Sequence, residues 1–299
     1  MTDRPLLMNA AARLRARLET GGIVAAPGAQ DALTARLVAA AGFEAVYMTG
    51  LGATASRLGQ PDLGLMTQAE MADCARSMVR ATTLPVIADA DAGYGGPLNM
   101  ARTVDEYIQA GVAALHIEDQ QNPKQCGVLA GAQLVDTAEA CARLSAAVEA
   151  RNRSGSDIVL IGRTDALKGE GLDAALDRVR AYRDTGVDFM FVDGVTTRAQ
   201  IEGIARGLEG PKIISIVDGT DAAGVSLKEL DEMGYSIALY AVTTLFAAMN
   251  AMKTALDALH STGHPAPASY DYAAYADVVS LAEFQDFAHR FEPGGTGKG

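Results

Sequence analysis

Eight short apolar runs recur along the chain, each followed by a loop and then by a segment of helical periodicity. In those segments apolar residues return at i, i+3 and i+4, and several segments end in Gly, a common helix terminator. Strands that alternate with helices require a parallel sheet, and eight such units close most naturally into a barrel. We therefore predict the α/β class and a (β/α)8 TIM barrel. The predicted strands are residues 23–27, 45–50, 85–90, 114–119, 158–163, 188–194, 212–217 and 236–241, and the clearest predicted helices are residues 67–81, 99–110, 137–151 and 172–185.

An open, doubly wound sheet is the alternative arrangement of such units. The turn after the first run reads PGAQD (27–31) and lacks the GxGxxG pattern that brings backbone amides onto a pyrophosphate. We predict a barrel domain at residues 1–260 and a C-terminal helical extension at 261–299, although the length also allows two separate domains. The extension contains a helical stretch at 270–290 and a frayed end at 294–299. Its apolar content favours packing on a neighbouring subunit.

The charge balance excludes several classes of partner. With 25 Lys+Arg against 37 Asp+Glu, the formal net charge of -12 repels phosphate backbones and anionic lipid heads, so we expect no nucleic-acid and no membrane-surface binding. No window reaches the roughly 18 uninterrupted apolar residues that a membrane span needs. The three cysteines form no CxxC motif, which is typical of a reducing compartment, and we predict a cytoplasmic location.

Acidic residues stand at the carboxyl ends of neighbouring predicted strands, where barrels of this kind carry their chemistry. Asp89 and Asp91 are two residues apart, which on a strand places both side chains on one face, and Glu118 lies at the same height on the adjacent strand. Three converging carboxylates repel one another unless a cation lies among them. Oxygen ligands of this kind suit Mg²⁺ or Mn²⁺. The alternative is that each carboxylate caps a helix or pairs with Lys or Arg.

Two further side chains are candidates for function. Arg163 ends an apolar run, and its planar guanidinium suits a substrate carboxylate, although an ion pair with Asp165 or Asp193 explains the spacing equally well. Cys126 lies beside Lys124 in a polar loop after the fourth strand, as a reactive thiol or proton donor would. The other two cysteines lie among alanines in helical segments and are interpreted as structural.

These residues lie in motifs that together resemble one enzyme superfamily. The motifs are YMTG (47–50), GQPDLGL (59–65), DADAGYG (89–95), IEDQ (117–120), KQCG (124–127) and GRTD (162–165). In this order the chain resembles the isocitrate lyase and phosphoenolpyruvate mutase superfamily over about residues 23–260. Its short members, such as methylisocitrate lyase and 2,3-dimethylmalate lyase, are the most similar in pattern.

The resemblance implies a Mg²⁺-dependent barrel enzyme that acts on a small 2-oxo or 2-hydroxy acid through an enolate. It also implies a homotetramer, a dimer of dimers whose last helices are swapped between subunits, and a mobile lid that carries Cys126. The implied metal site consists of Asp89, Asp91 and Glu118, partly through water, with Asp62 nearby. The implied substrate site consists of Tyr47, Thr49, Gly50, Leu51, Arg163, Asp193 and Ser215.

The function predicted from these residues is carbon–carbon bond cleavage of a 2-hydroxy dicarboxylic acid to pyruvate or a close 2-oxo acid. Cys126 is the candidate acid, and Tyr47, or a water held by Asp62, is the candidate base. Gln125 and Val128 stand where lyases of this family usually have a basic residue and a histidine, which favours a smaller or less charged leaving group than that of methylisocitrate. An oxaloacetate decarboxylase or hydrolase, a phosphonopyruvate-type P–C enzyme and a non-enzymatic binding module are also compatible with the sequence.

Overall fold

The eight predicted strands form one closed, all-parallel barrel in sequence order, with β1 pairing β8. We describe a computed structural model for residues 9–127, 131–267 and 270–292. The barrel prediction is confirmed, and every predicted run contains a strand within about two residues of its expected ends. The strands are β1 (Val24–Ala29), β2 (Val46–Met48), β3 (Val86–Asp89), β4 (Ala114–Glu118), β5 (Val159–Thr164), β6 (Phe189–Val192), β7 (Lys212–Ser215) and β8 (Ile237–Tyr240).

Helices follow the strands, and those within the barrel unit cover its outside. Their ends have the expected chemistry: Thr67 forms a capping box with Glu70 at the start of α4, and Gly111 takes a left-handed conformation after α5. In the described ranges the helices are α1 (Ala10–Glu19), α2 (Ala32–Ala40), α3 (Gly50–Leu58), α4 (Gln68–Ala81), α5 (Pro97–Ala110), α6 (Thr137–Ser154), α7 (Ala166–Glu170), α8 (Leu172–Arg183), α9 (Arg198–Gly207), α10 (Leu227–Glu232), α11 (Thr243–Thr262), α12 (Tyr272–Val278) and α13 (Leu281–His289), with a 3-10 turn at Asp221–Gly224.

Alternation along each strand separates the core into two layers. On β5, Val159 and Ile161 point into the barrel and belong to its interior cluster, whereas Leu160 packs outward against the helices. Ile87, Phe191 and Ile213 fill the interior from other strands in the same way. The interior is therefore a packed apolar core. The next inward position on each strand, two residues further on, lies at the carboxyl mouth of the barrel.

The C-terminal part of the chain forms a second compact unit. By internal contacts the described chain divides at Leu245 and Phe246, within α11. The predicted helical stretch at 270–290 is wrong in one respect, because Ser280 has φ +55 and separates α12 from α13. The boundary at residue 260 stays a prediction, and residues 294–299 lie outside the described ranges. No helix in the described ranges is long and apolar enough to cross a membrane.

Candidate active site at the barrel mouth

The inward alternation delivers polar side chains to the carboxyl end of five successive strands. Ile87 is followed by Asp89, His116 by Glu118, Ile161 by Arg163, Phe191 by Asp193 and Ile213 by Ser215, each two residues further along. All five of the later residues are buried. We call Asp62, Asp89, Asp91, Glu118, Asp165, Asp193, Lys124 and Arg163 the mouth cluster.

Lys124 joins two of the predicted acidic residues. Its Nζ lies 2.7 Å from Asp62 Oδ1 and 2.6 Å from Asp91 Oδ1, and only 4% of the residue is exposed. These carboxylates, with Glu118 and Asp89, outweigh the burial that would otherwise lower the pKa of Lys124, and they raise it well above its ordinary value. The lysine is therefore a buried cation of the site.

The prediction that Asp89 and Asp91 share one face of a strand is wrong. Strand β3 ends at Asp89, and Asp91 follows in a turn with φ +47. The physical reason is local: Asp89 Oδ1 accepts a hydrogen bond from the Asp91 N–H at 2.9 Å, an Asx-type turn that competes with strand pairing. The turn still leaves Asp91 beside Glu118, whose N–H donates to the Asp91 carbonyl at 3.0 Å.

Arg163 is surrounded by carboxylates. Its Nη2 lies 2.6 Å from Asp193 Oδ2, 2.9 Å from Asp165 Oδ1 and 3.2 Å from Glu118 Oε2. The ion pairs with both Asp165 and Asp193 that the spacing allowed are therefore present. Breaking a buried pair of this kind by removing one partner costs about 3–5 kcal/mol, so the guanidinium is held in place. Its position at the end of β5 still faces the mouth of the barrel.

The charges of the mouth cluster fit a divalent cation. Six of its members are carboxylates and two are cations, and among the described residues Glu118 has both carboxylate oxygens buried without a hydrogen-bond partner. Burial raises the pKa of Glu118 well above its ordinary value, and Arg163 offsets this only in part. In the described ranges no three acidic, His or Cys side chains converge as direct ligands. Mg²⁺ commonly keeps several waters and takes one or two carboxylates, so the residues present fit a largely water-mediated ion.

Tyr47 lies deep in the barrel rather than at its rim. Its hydroxyl is 2.9 Å from His116 Nε2, and burial lowers the pKa of His116 to about 4, so the imidazole is neutral at pH 7. Burial also raises the pKa of Tyr47 well above its ordinary value. The phenol is therefore protonated in the resting site and forms a hydrogen bond with a neutral imidazole.

The predicted pocket residues Thr49, Gly50 and Leu51 form the start of α3. Thr49 is its N-cap, and the Gly50 N–H donates to Asp89 Oδ2 at 3.2 Å. A Cβ on Gly50 would lie 2.6 Å from the same oxygen, which explains the need for glycine here. The helix N-terminus thus faces the mouth cluster, where its amides favour negative charge. Ser215 ends β7, next to the strand that carries Asp193.

The loop of residues 121–127, which we call the lid segment, lies across the mouth cluster. The Cys126 N–H donates to the Asp62 carbonyl at 3.0 Å, and Cys126 is half-buried. A Cβ on Gly127 would fall 2.6 Å from Asp193 Oδ2, 2.7 Å from Asp165 Oδ1 and 2.8 Å from Arg163 Nη2. Cys126 is therefore held between Asp62 and the carboxylates that pair with Arg163. Val128 lies outside the described residues.

Lys124 and Asp165 are the site residues that sequence reasoning used only as neighbours of others. The signal for Lys124 was a cation in a short polar loop that follows a strand ending in carboxylates. The signal for Asp165 was its position two residues after Arg163. Its Oδ1 accepts a hydrogen bond from Arg163 Nε at 3.0 Å. A cavity of about 530 Å³ opens beside Asp165 and is also lined by Gln133, Lys168 and Glu170.

Comparison with known proteins is consistent with this geometry. A family model described as phosphoenolpyruvate phosphomutase matches residues 14–260. The chain is 38% identical over 290 residues to 2,3-dimethylmalate lyase of Eubacterium barkeri, covering 96% of this chain and 100% of that protein. It is 35% identical over 277 residues to 2-methylisocitrate lyase of Bacillus subtilis, covering 93% and 90%.

A solved structure adds a relative with a different name. Oxaloacetate acetylhydrolase, in complex with the inhibitor 3,3-difluorooxalacetate, superposes with a TM-score of 0.91 at 36% identity, covering 97% of this chain and 99% of that chain. Lyases and a hydrolase therefore share this architecture over nearly the whole length of the chain.

Proposed function

Because the chain belongs to the phosphoenolpyruvate phosphomutase family, whose model matches most of its length, we propose that it is a Mg²⁺-dependent carbon–carbon lyase. Its substrate is a 2-hydroxy dicarboxylic acid like dimethylmalate, and its products are pyruvate, or a close 2-oxo acid, and a carboxylic acid. The curated relatives named as 2,3-dimethylmalate lyase and 2-methylisocitrate lyase support this assignment.

The observation that carries the proposal is the position of Cys126. The Cys126 N–H donates to the Asp62 carbonyl, and the next residue, Gly127, packs so closely on Arg163 that an added Cβ would lie 2.8 Å from its Nη2. A substrate carboxylate at Arg163 therefore brings its neighbouring carbon close to Cys126. A protonated thiol beside such a carbon suits the quenching of a carbanion.

The metal is proposed to lie among the acidic residues of the mouth cluster. Asp89, Asp91 and Glu118 would hold it, partly through water, and Asp62 would orient a bound water. When bound, Mg²⁺ supplies a Lewis acid that polarises the oxygens of the 2-hydroxy acid. Both carboxylate oxygens of Glu118 are buried without a hydrogen-bond partner, which supports this placement.

The chain's own groups account for both proton transfers. A base takes the proton of the substrate 2-hydroxyl as the carbon–carbon bond breaks, and the electron pair passes to the carbon of the leaving fragment. Cys126 Sγ–H then donates a proton to that carbon. Two groups are candidates for the base: Tyr47, whose hydroxyl lies 2.9 Å from His116 Nε2, and a water held by Asp62. Thr49, Gly50, Leu51, Asp193 and Ser215 line the substrate site in this proposal.

The lid segment favours a compact leaving group. Its lysine is occupied by Asp62 and Asp91, and Gln125 offers no charge to an additional substrate carboxylate. A tricarboxylic substrate would leave one more carboxylate to be satisfied than dimethylmalate does. The substrate inferred is therefore less charged than methylisocitrate.

The assembly and location complete the proposal. The C-terminal unit exposes large apolar side chains along α11 and in the segment that follows it, and we propose that these pack in a homotetramer, a dimer of dimers with exchanged C-terminal helices, in the cytoplasm. The exposed residues are Phe246, Met249, Met252, Leu256, Leu259, Tyr272, Phe284 and Phe291.

A turnover panel with Mg²⁺ tests the function. Dimethylmalate, methylisocitrate, isocitrate, oxaloacetate and phosphonopyruvate are compared. Pyruvate is followed by NADH oxidation through lactate dehydrogenase, and glyoxylate from isocitrate and oxalate from oxaloacetate are quantified by chromatography. We expect the highest kcat/KM with dimethylmalate. Methylisocitrate as clearly the best substrate would overturn the inference about the leaving group. Absence of turnover, together with no Mg²⁺-dependent oxalate binding by calorimetry, would overturn the enzymatic assignment.

Hydrolysis of oxaloacetate is the second candidate function. The similarity to oxaloacetate acetylhydrolase at a TM-score of 0.91 favours it over decarboxylation and over phosphorus–carbon bond cleavage. Oxalate release from oxaloacetate, without pyruvate from any 2-hydroxy acid, would identify it. CO₂ release would indicate a decarboxylase, and pyruvate with phosphate from phosphonopyruvate would indicate P–C chemistry.

A further inference from the structure

Gln120 connects the lid segment to the residues that hold Arg163. Its Nε2 donates to the Gln125 carbonyl at 2.7 Å and to Asp165 Oδ2 at 2.6 Å, while its Oε1 accepts from the Gln125 N–H at 2.9 Å. Both amide protons and one oxygen lone pair are thus used. Two acceptors on one side and a donor on the other define the orientation of this amide.

The backbone of Gln120 is itself immobilised. It forms an antiparallel bridge with Leu134, and its carbonyl accepts from Arg143 Nη1 at 3.2 Å. The residue is 1% exposed. The Gln120 amide therefore extends from an ordered backbone, and it hydrogen-bonds both the N–H and the carbonyl of Gln125, the residue directly before Cys126.

The other end of the connection is Asp165, which is held twice. Asp119, next to Gln120 in sequence, accepts from the Asp165 N–H at 3.0 Å, while Gln120 holds the Asp165 carboxylate. Asp165 Oδ1 in turn accepts from both Nε and Nη2 of Arg163, at 3.0 and 2.9 Å. One oxygen of Asp165 thus binds the guanidinium, and the other binds the amide that holds the lid segment.

We propose that Gln120 is a positioning residue that couples closure of the lid segment, which carries Cys126, to the orientation of Arg163. The coupling to substrate rests on the proposed function, in which Arg163 binds a carboxylate. The connection to the lid segment rests on hydrogen bonds alone. Loss of the amide removes both hydrogen bonds to the Gln125 backbone, next to Cys126, and takes the amide donor away from Asp165 Oδ2.

The test measures the alkylation rate of each cysteine by iodoacetamide and mass spectrometry, in a protein without ligand. Cys74 and Cys141 are internal references. Gln120→Ala removes the amide, and Gln121→Ala is the matched control, since Gln121 is exposed and its side chain reaches only the Leu134 carbonyl among the bonds described. Gln120→Glu keeps the size and one acceptor but removes the donor that faces Asp165 Oδ2.

We expect both Gln120 variants to raise the Cys126 rate at least about tenfold, with Gln121→Ala, Cys74 and Cys141 unchanged. A tenfold change in a local opening equilibrium corresponds to about 1.4 kcal/mol, the scale of one charged hydrogen bond. An unchanged Cys126 rate would overturn the proposal. So would a wild-type rate in Gln120→Glu, which would mean that the amide donor does not hold the lid segment, or equal increases at all three cysteines, which would mean a general effect on the fold.

A second measurement adds Mg²⁺ and oxalate, a planar dicarboxylate that resembles a 2-oxo acid. In the wild type these should slow alkylation of Cys126, and in Gln120→Ala the protection should fall by at least about tenfold at equal occupancy. Protection that is equal in both proteins would overturn the coupling. If the wild type binds no oxalate, the proposed function fails, whereas the ligand-free rates still decide the connection to the lid segment.

Discussion

Gly127 is the position at which one added methyl group should separate activity from stability. In Gly127→Ala, the new carbon would lie 2.6 to 2.8 Å from Asp193 Oδ2, Asp165 Oδ1 and Arg163 Nη2. An ordinary contact needs about 3.5 Å, so a displacement of roughly 0.8 Å is required. The three side chains are buried and paired with one another, and the lid segment must therefore move.

A misplacement of about 1 Å in a catalytic group can cost about 10²-fold in rate. We therefore expect kcat/KM for Gly127→Ala to fall by about 10²-fold in the coupled pyruvate assay, with Tm changed by no more than a few degrees. Gly169→Ala is the matched control, because its Cβ meets nothing within 4 Å and Gly169 lies in α7. Full activity in Gly127→Ala, or an equal loss in the control, would refute the reasoning.

Three further predictions concern the thiol, a buried hydroxyl and a helix cap. Cys126→Ser should bind Mg²⁺ and oxalate normally, with kcat lowered by at least about 10²-fold, since proton transfer by one positioned group is worth that much; wild-type turnover would exclude the role. Tyr182→Phe removes a buried hydroxyl that donates to Asp119 Oδ2 at 2.7 Å and should lower the free energy of unfolding by about 2 kcal/mol in urea titrations; a change below about 0.5 kcal/mol would contradict it. Hydrogen bonds from Ser226, together with Arg198, lower the pKa of Glu229 from 4.5 to about 2, so its stabilisation is complete above pH 4.5 and is lost as the pH falls towards 2. The difference in unfolding free energy between wild type and Glu229→Gln should therefore close over that range, and a constant difference would be inconsistent with the capping box.

The barrel could be predicted because its signals are local. Alternating apolar residues and helical periodicity recur eight times, and each strand was found within a few residues of its run. The same alternation explains why Asp89, Glu118 and Arg163 reach one mouth. By contrast, the turn at Asp91 depends on the Asp89 side chain, which accepts a hydrogen bond from the Asp91 N–H in competition with strand pairing, and spacing alone does not reveal this competition.

The partners within the site were harder to foresee. Lys124 meets Asp62, which is 62 residues away, because the lid segment folds back over the barrel. Likewise, Gln120 and Asp165 come from different strand ends and meet through a loop. Such contacts depend on loop paths, which have no periodic signature. The predicted metal ligands stay a prediction, supported by the buried Glu118 oxygens that lack a hydrogen-bond partner.

In the closed sheet every strand is paired on both sides, and no edge is left for another chain to join. The hydrogen bonding of the barrel strands consequently does not depend on the sequence of the loops at its mouth. Changes in the loops at the mouth can therefore alter the reaction while the barrel keeps its fold. Enzymes with different activities can diverge on the same barrel in this way.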